Sequence, residues 1–244
     1  MKSDFFWEKA QNALKLEARE RLKTLKQIGY EVSETIKSSK DLSVGELKTY
    51  ISILRIVVRV PAISPSFNTL LAKVTNKYLA AIGCENPQIL IKKSTKIDLI
   101  SGLIAIGDPF YAPDPGKEEV DINLINSGKS YIFNAESYGL VNVQVRVVDA
   151  PEPALSSKEY KKVMAASPVV ILNFPSGKFA IDDGSIDKAP PPSVVIDIAP
   201  GNYKCQAYLF SLPSDNFSYY IVLSKTEEKA VNNEREIITL EPNS

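Results

Sequence analysis

The chain has 244 residues, of which 44 % are apolar, and this composition is typical of a folded protein and excludes a disordered one. The net charge is zero, but residues 1–85 hold 14 Lys and Arg against 9 Asp and Glu, whereas residues 86–244 hold 15 against 20. This asymmetry is too small to indicate direct nucleic-acid binding, and the absence of histidine excludes the imidazole-dependent triads and zinc sites.

Neither the start of the chain nor its most apolar stretch has the features of a targeting or membrane segment. The apolar start contains Asp4 and Glu8, which a signal peptide would not tolerate in its hydrophobic region. Residues 51–63 include two arginines and are fewer than the roughly 20 that cross a bilayer. We therefore expect a cytoplasmic protein without a transmembrane segment, in which Cys84 and Cys205 are reduced and buried.

The first third of the chain is predicted to be helical. Apolar residues recur at helical spacing over residues 4–37, which predicts one long amphipathic helix, bent near Gly29. The spacing Ser-x-x-Glu at residues 43–46 predicts a capping box and a second helix to about residue 60. Ser64-Pro65 begins a third helix, which ends at Gly83. These helices offer one way for the chain to form a homo-oligomer.

After Pro87 the sequence changes to short β-type segments with alternating polar residues. Within them, the spacing Ser-x-x-Glu at residues 156–159 predicts a short helix to about residue 166. The predicted strands cover residues 88–93, 96–106, 119–125, 129–136, 140–148, 169–174, 178–181, 193–198, 203–210, 219–223 and 237–240. So many short strands predict a mainly antiparallel β sandwich.

One motif occurs twice in this β region. Residues 101–108 (Ser-Gly-Leu-Ile-Ala-Ile-Gly-Asp) and 176–183 (Ser-Gly-Lys-Phe-Ala-Ile-Asp-Asp) lie 75 positions apart and agree at Ser, Gly, Ala, Ile and Asp. The agreement continues where residues 120–124, Gly128 and Tyr131 align with residues 194–198, Gly201 and Tyr203. Two copies of one β unit are the simplest explanation of this match.

The predicted fold class is therefore α+β. We expect a helical segment of about three helices over residues 1–85, a first β unit over residues 86–155, and a second β unit with a short leading helix over residues 156–244. The β region as a whole is expected to be a mainly antiparallel sandwich with an internal duplication.

The densest acidic cluster is residues 182–187 (Asp-Asp-Gly-Ser-Ile-Asp). Its oxygens suit a hard cation such as calcium, but Asp-Gly is also a common tight-turn signal. The first copy of the motif lacks the additional oxygens, so the turn is the favoured interpretation. We expect no metal, no cofactor and no catalytic set, and hence no enzyme.

Acidic side chains and late tyrosines are the candidates for contacting a partner protein, because Tyr buries a large area with few rotatable bonds. The same tyrosines would serve equally well as core. The candidate residues are Asp114, Glu118, Glu119, Asp182, Asp183, Asp187, Tyr208, Tyr219 and Tyr220, with Asp121 and Glu152 as further acidic positions.

Two resemblances accompany these patterns. The first rests on Ser101, Gly102, Asp108, Pro109, Gly128, Tyr131, Arg146-Val147 and Pro175-Ser176-Gly177-Lys178. These residues resemble an uncharacterised bacterial β-domain family with the order Ser-Gly, Asp-Pro, Gly-x-Tyr. Residues 198–205 (Ile-Ala-Pro-Gly-Asn-Tyr-Lys-Cys) with Leu212-Pro213 are similar to the closing strands of competence-protein-J-like nuclease inhibitors. The resemblances imply a small cytoplasmic bacterial protein that binds and blocks another.

The predicted function is that of a non-enzymatic protein-binding protein, namely an immunity protein or inhibitor that masks a toxic enzyme such as a nuclease. An acidic β surface over a basic cleft would steer the association. The alternative is a carbohydrate- or cation-binding β module with a helical oligomerisation segment. A third possibility is a structural subunit whose first helix pairs with copies of itself.

Overall fold

Helices occupy the first part of the chain and strands most of the rest, as a computed structural model shows. The model describes residues 2–39, 41–58, 64–109, 122–135, 138–160, 162–184, 194–211, 217–229, 232 and 238–240. By their contacts, residues 1–86 and 156–161 form one compact unit, and residues 87–155 and 162–244 form the other. The first is called the helical unit here and the second the sheet unit. The α+β class predicted from the sequence is confirmed.

The described part of the helical unit contains four helices before residue 86. They are α1 (Lys2–Ala13), α2 (Ala18–Ser38), α3 (Val44–Val57) and α4 (Ser64–Ala81). The single long helix predicted over residues 4–37 is therefore wrong. The amides of Lys15 and Leu16 donate to the carbonyls of Asn12 and Ala13, both at 3.1 Å, and this turn separates α1 from α2. The turn allows apolar residues of both helices to reach one core.

Helix α2 continues through Gly29, and this glycine makes room for a neighbouring ring. A Cβ atom at this position would lie 2.6 Å from the ring of Phe67, which is closer than van der Waals contact permits. The Phe67 ring packs edge-on against Tyr30, with the ring centroids 5.3 Å apart. The glycine is therefore explained by the packing of α4 on α2, which the helical spacing alone does not predict.

The predicted helix ends have the expected geometry. Ser43 caps α3, because its hydroxyl accepts from the amide of Glu46 at 3.3 Å while its own amide donates to the Glu46 carboxylate at 2.9 Å. Gly83, at a φ of 79°, ends α4. The Cys84 amide then donates to the carbonyl of Leu79 at 2.7 Å, which completes the cap.

The second Ser-x-x-Glu spacing begins a helix that is shorter than predicted. Ser156 donates to the Glu159 carboxylate from its amide, at 3.0 Å, and from its hydroxyl, at 2.7 Å. The helix that follows, α6 (Ser157–Tyr160), has a single turn, so its predicted extension to residue 166 is wrong. Residues Val163–Ala166 instead form a strand, because pairing with a neighbouring strand satisfies their backbone groups and buries Ala165 and Ala166.

One predicted strand is a helix. Residues 119–125 were expected to be extended, but α5 (Ile122–Asn126) is helical, and residues 119–121 lie outside the described residues. Gly128, at a φ of 72°, ends α5, and the Lys129 amide donates to the carbonyl of Leu124 at 2.8 Å. A run of so few apolar residues does not distinguish a strand from a helical turn, so the periodicity was misleading here.

The described strands form two mainly antiparallel sheets. The strands are β1 (Gln88–Leu99), β2 (Leu103–Gly107), β3 (Ser130–Asn134), β4 (Gly139–Asp149), β5 (Val163–Ala166), β6 (Val170–Phe174), β7 (Lys178–Asp183), β8 (Val194–Asp197), β9 (Gly201–Ser211), β10 (Phe217–Thr226) and β11 (Ile238–Thr239). The six-stranded sheet has the order β1-β4-β10-β9-β5, with β6 also paired to β9. The five-stranded sheet has the order β11-β3-β2-β7-β8.

Both sheets contribute to a single hydrophobic core, because consecutive strands pass from one sheet to the other. Among the described strands, two of the pairings are parallel, β10 with β4 and β11 with β3. The two predicted β units, 86–155 and 156–244, share both sheets and belong to the same compact unit. Their strands form two adjacent blocks in the six-stranded sheet, and in the five-stranded sheet β3 and β2 lie between β11 and β7.

The two copies of the repeated motif lie side by side. Strands β2 and β7 pair antiparallel with Ile106 opposite Ile181, which are equivalent positions of the motif. The Ser101 hydroxyl donates to the Asp183 carboxylate at 2.5 Å, and the Ser176 hydroxyl donates to the Asp108 carboxylate at 2.7 Å. The first serine of each copy thus binds the last aspartate of the other, as a local two-fold axis between β2 and β7 requires.

The residue-by-residue alignment of the two copies ends with this turn and strand. Of the segments aligned beyond the motif, Ile122–Asn126 is helical whereas Val194–Asp197 is a strand. Tyr131 lies in the five-stranded sheet and Tyr203 in the six-stranded sheet. The duplication nevertheless extends over four strands, because β1-β2-β3-β4 and β6-β7-β8-β9 follow the same path. In each set the first and last strands pair antiparallel in the six-stranded sheet and the two middle strands pair antiparallel in the five-stranded sheet.

We predict that Ser176→Ala and Ser101→Ala each lower the free energy of unfolding by about 1.5–3 kcal/mol, because each removes a donor from a buried carboxylate. Asp108 and Asp183 are 2 % and 4 % exposed, so water cannot replace the lost donor. Urea unfolding of the purified variants measures this. Ser127→Ala, at an exposed position, is the matched control and should change stability little. Wild-type stability in both variants would contradict the interpretation.

Candidate interaction surface

The structure changes the set of acidic candidates. Asp114, Glu118, Glu119, Asp121 and Asp187 lie outside the described residues, and Asp182 is half-buried on β7. The two remaining positions were expected on the surface and are buried.

Asp183 is buried and accepts hydrogen bonds from the amide and the hydroxyl of Ser101. Glu152 is 6 % exposed, and its carboxylate lies 3.1 Å from the ammonium group of Lys204, which is also buried. Their predicted outward positions are wrong, because each carboxylate is used within the fold to bind a donor from another segment. A partner protein cannot reach either group without disrupting those bonds.

Two of the three candidate tyrosines belong to the interior of the sheet unit. Tyr219 is fully buried and donates to the carbonyl of Ala135 at 2.5 Å, and Tyr208 is 1 % exposed and donates to the carbonyl of Pro153 at 2.6 Å. Both are wrong as surface residues. Tyr220 is half-buried, with its ring centroid 4.2 Å from that of Phe210 and 4.5 Å from the guanidinium carbon of Arg146.

The described half of the acidic cluster is the end of a strand. The Asp182 carboxylate accepts from the amide of Asp183 at 2.9 Å, and the amide of Gly184 donates to the carbonyl of Leu103 at 2.9 Å. Across the residues that the structure describes, no three Cys, Asp or Glu side chains come together as a metal site would require. Among the same residues, no helix has the length and hydropathy needed to cross a membrane.

The two thiols are unbridged and differ in accessibility. Cys205 faces the core from β9 and is fully buried, and this burial raises the pKa of its thiol far above the ordinary value. Cys84, just after α4, is half-buried. The expectation of burial is therefore met by Cys205 and only partly by Cys84.

We predict that one thiol reacts quickly with iodoacetamide in the native protein and that the other reacts only on unfolding, because the thiolate is the reactive form. Mass spectrometry of tryptic peptides should find Cys84 modified and Cys205 unmodified. In the Cys84→Ser variant, native labelling should disappear and return in urea. Equal labelling of both cysteines under native conditions would contradict the burial of Cys205.

Three large apolar side chains are exposed where β1 and β4 meet. Ile100, Tyr138 and Leu140 are 61 %, 77 % and 61 % exposed, and we call them the β1–β4 patch. Leu99 pairs with Gly139 and Asp98 with Leu140, so Ile100 and Tyr138 lie beside each other just beyond the paired residues. Contiguous exposed apolar side chains of this kind mark interaction surfaces more often than isolated ones do.

The alternation of β4 explains why the patch faces outward. Val141, Val143, Val145 and Val147 are buried in the shared core, so Leu140 lies on the opposite face. The sequence carried this signal, because Leu140 falls in step with Asn142 and Gln144 and out of step with the valines. The proximity of Ile100 was not predictable, since it depends on the register of β1 against β4.

Concave regions also occur in both units among their described residues. A groove of 460 Å³ in the helical unit is lined by Phe5, Phe6, Gln27, Tyr30, Glu31, Glu34 and Thr35. Hydrogen bonds from Gln27 and Lys9 lower the pKa of Glu31 in this groove. A cleft of 260 Å³ in the sheet unit is mostly aliphatic, with Asp149 and Lys225 as its charged members. The tyrosine in that cleft, Tyr203, donates to the carbonyl of Ala199 at 2.8 Å, so it serves the fold.

Comparison with known proteins identifies no family for this chain. No family model and no curated protein matches this chain. A solved structure described as crocagin biosynthetic gene J is similar over 59 % of this chain and 99 % of its own, with a TM-score of 0.39 and 11 % identity. A likeness this distant supports no statement about function.

Proposed function

We propose that this chain is a non-enzymatic protein-binding protein of the immunity or inhibitor class, which works in the cytoplasm by masking a toxic enzyme. The observation that supports the proposal is the β1–β4 patch, whose three large side chains remain exposed on the outer face of a sheet. Apolar side chains that the fold leaves in water are stabilised when a partner covers them.

The surroundings of the patch are those of an interface rim. Asp98, which is exposed, lies across from Leu140, and Lys96 pairs with Asn142 one step further along the strands. An apolar centre with polar neighbours is the usual arrangement of protein–protein interfaces, in which the centre contributes affinity and the rim contributes specificity.

The acidic residues provide the electrostatic part of the proposal. Residues 86–244 carry an excess of acidic over basic side chains, and a basic enzyme cleft would attract that charge. With Asp183 and Glu152 buried, the carboxylates assigned to this role are Asp114, Glu118, Glu119, Asp182 and Asp187. They would raise the association rate more than the affinity.

We predict that replacing Ile100, Tyr138 and Leu140 together by serine weakens partner binding by about 100-fold or more, because apolar anchors dominate interface energies. The full chain is used as bait in an extract of its native host, and the retained enzyme is then purified, assayed for inhibition and titrated against each variant.

Val195→Ser is the control, because Val195 is 45 % exposed on β8, in the other sheet. It should bind and inhibit as the wild type does. Retention of the same enzyme with equal affinity by the patch variant would refute the assignment of the patch. A retained protein whose activity is unaffected by this chain would refute the inhibitor class.

We further predict that changing Asp114, Glu118, Glu119, Asp182 and Asp187 to lysine slows association by about tenfold or more at low salt, with little change in the dissociation rate. Stopped-flow mixing with the purified partner measures both rates. Lysine at Glu17, Glu20 and Glu34, which are exposed in the helical unit, is the control and should leave the rates unchanged. If the five-site variant associates at the wild-type rate and with the wild-type salt dependence, the electrostatic part of the proposed function is refuted.

A further inference from the structure

Among the described strands, the long outer strand β1 is paired along one side only. It has 12 residues, and in the described part of the chain it pairs with β4 alone. An unpaired strand edge presents backbone donors and acceptors to any extended segment that fits beside it. Natural proteins usually protect such an edge with lysines, and β1 carries Lys92, Lys93 and Lys96.

The charges on the outer face of β1 lack opposite charges across the sheet. Lys92 pairs with Arg146 of β4, and Asp98 pairs with Leu140. The side chains of Lys92 and Asp98 are both exposed. Like charges on directly opposite residues are unfavourable, whereas opposite charges there contribute favourably. The side of β1 away from β4 is where Lys92 and Asp98 can find such partners.

We infer that β1 pairs antiparallel with β1 of a second copy of this chain, with Lys92 of each copy opposite Asp98 of the other and with Thr95 on the two-fold axis. The resulting dimer would join two six-stranded sheets into one continuous sheet. The inference does not rest on the proposed function, because it uses Lys92, Thr95 and Asp98 and not the β1–β4 patch.

Symmetry restricts the possible registers. A two-fold axis that joins two sheets edge to edge must be perpendicular to them, so opposite residues share a face and their numbers add to an even constant. With Thr95 opposite itself, Lys92 meets Asp98 twice and Ser94 meets Lys96 twice, and the strand is used over nearly its whole length.

The neighbouring registers bring like charges together. If Ser94 is opposite itself, Lys92 of each copy lies opposite Lys96 of the other. If Lys96 or Lys93 lies on the axis, that lysine faces the same lysine of the second copy, which is unfavourable. With Ile97 on the axis Lys96 meets Asp98, but the overlap shrinks to five residues because β1 ends at Leu99. Repulsion between lysines thus disfavours the neighbouring registers. The register with Thr95 on the axis is the one that places opposite charges across from each other over nearly the whole strand.

Charge exchange tests the inference. Sedimentation equilibrium of the full chain at low salt should show a monomer–dimer equilibrium. Lys92→Glu and Asp98→Lys should each raise the dimer dissociation constant by about tenfold or more, since symmetry makes every substitution act twice. The variant with both changes restores opposite charges and should dimerise as the wild type does. Lys48→Glu, an exposed lysine of α3, is the control and should have no effect.

A cysteine on the predicted axis tests the register directly. In a Cys84→Ser background, Thr95→Cys should form a disulfide-linked dimer on mild oxidation, because residues directly opposite in antiparallel strands have Cα atoms about 4.5–5.5 Å apart. Lys93→Cys is the matched control, since the two cysteines would be about 13 Å apart along the strands and should not cross-link.

Several results would overturn the proposed dimer or its register. A monomeric wild type, a dimer insensitive to both single charge reversals, or failure of the double variant to restore association overturns the inference. Cross-linking of the variant at residue 93 in place of residue 95 overturns the register. Circular dichroism of every variant should match the wild type, so that loss of association cannot be mistaken for loss of folding.

Discussion

The structure of the sheet unit depends on the reciprocal bonding of two serines and two aspartates around the β2–β7 pair. Ser101 and Asp108 belong to one copy of the motif, Ser176 and Asp183 to the other, and each serine is held by the opposite copy. A carboxylate buried without donors would cost several kcal/mol, so the two copies stabilise each other only when they are paired. This requirement brings segments 75 residues apart into one sheet and sets the register between them.

The same pairing explains why the sheet unit has one core. Once β2 and β7 are neighbours in the five-stranded sheet, the strands that flank them in the chain, β1 and β6, pass to the six-stranded sheet. Phe174 and Phe179, on β6 and β7, are both fully buried with ring centroids 5.8 Å apart, so the turn between them closes the two sheets on each other. Side chains from both sheets then exclude water together.

Both proposed interaction surfaces lie at the margin of the six-stranded sheet. Strand β4 has β10 on one side and β1 on the other, so β1 forms the edge, and the outer face near its end carries the β1–β4 patch. The proposed partner surface and the proposed dimer edge are adjacent and share Asp98 and Lys96 as neighbours. The first depends on the apolar side chains of the β1–β4 patch, and the second depends on the strand edge and its charges. A dimer of this kind would present two patches to partners at once.

Local signals in the sequence determined the α+β class, the capping box at Ser43, the helix start at Ser156, the glycine end of α4 and most strand positions, because each depends on a few neighbouring residues. Tertiary structure alone decided the break between α1 and α2, the helix at Ile122–Asn126 and the partners of every strand. It also decided which acidic and aromatic residues are exposed. The sequence around Asp183 is typical of a surface turn, but the bond from Ser101 holds this carboxylate in the interior. Tyr208 and Tyr219 have the residue type of an interface, but the fold buries both of them. The physical reason is that burial and register are set by contacts between residues far apart in the chain, to which the local pattern of apolar and polar residues does not respond.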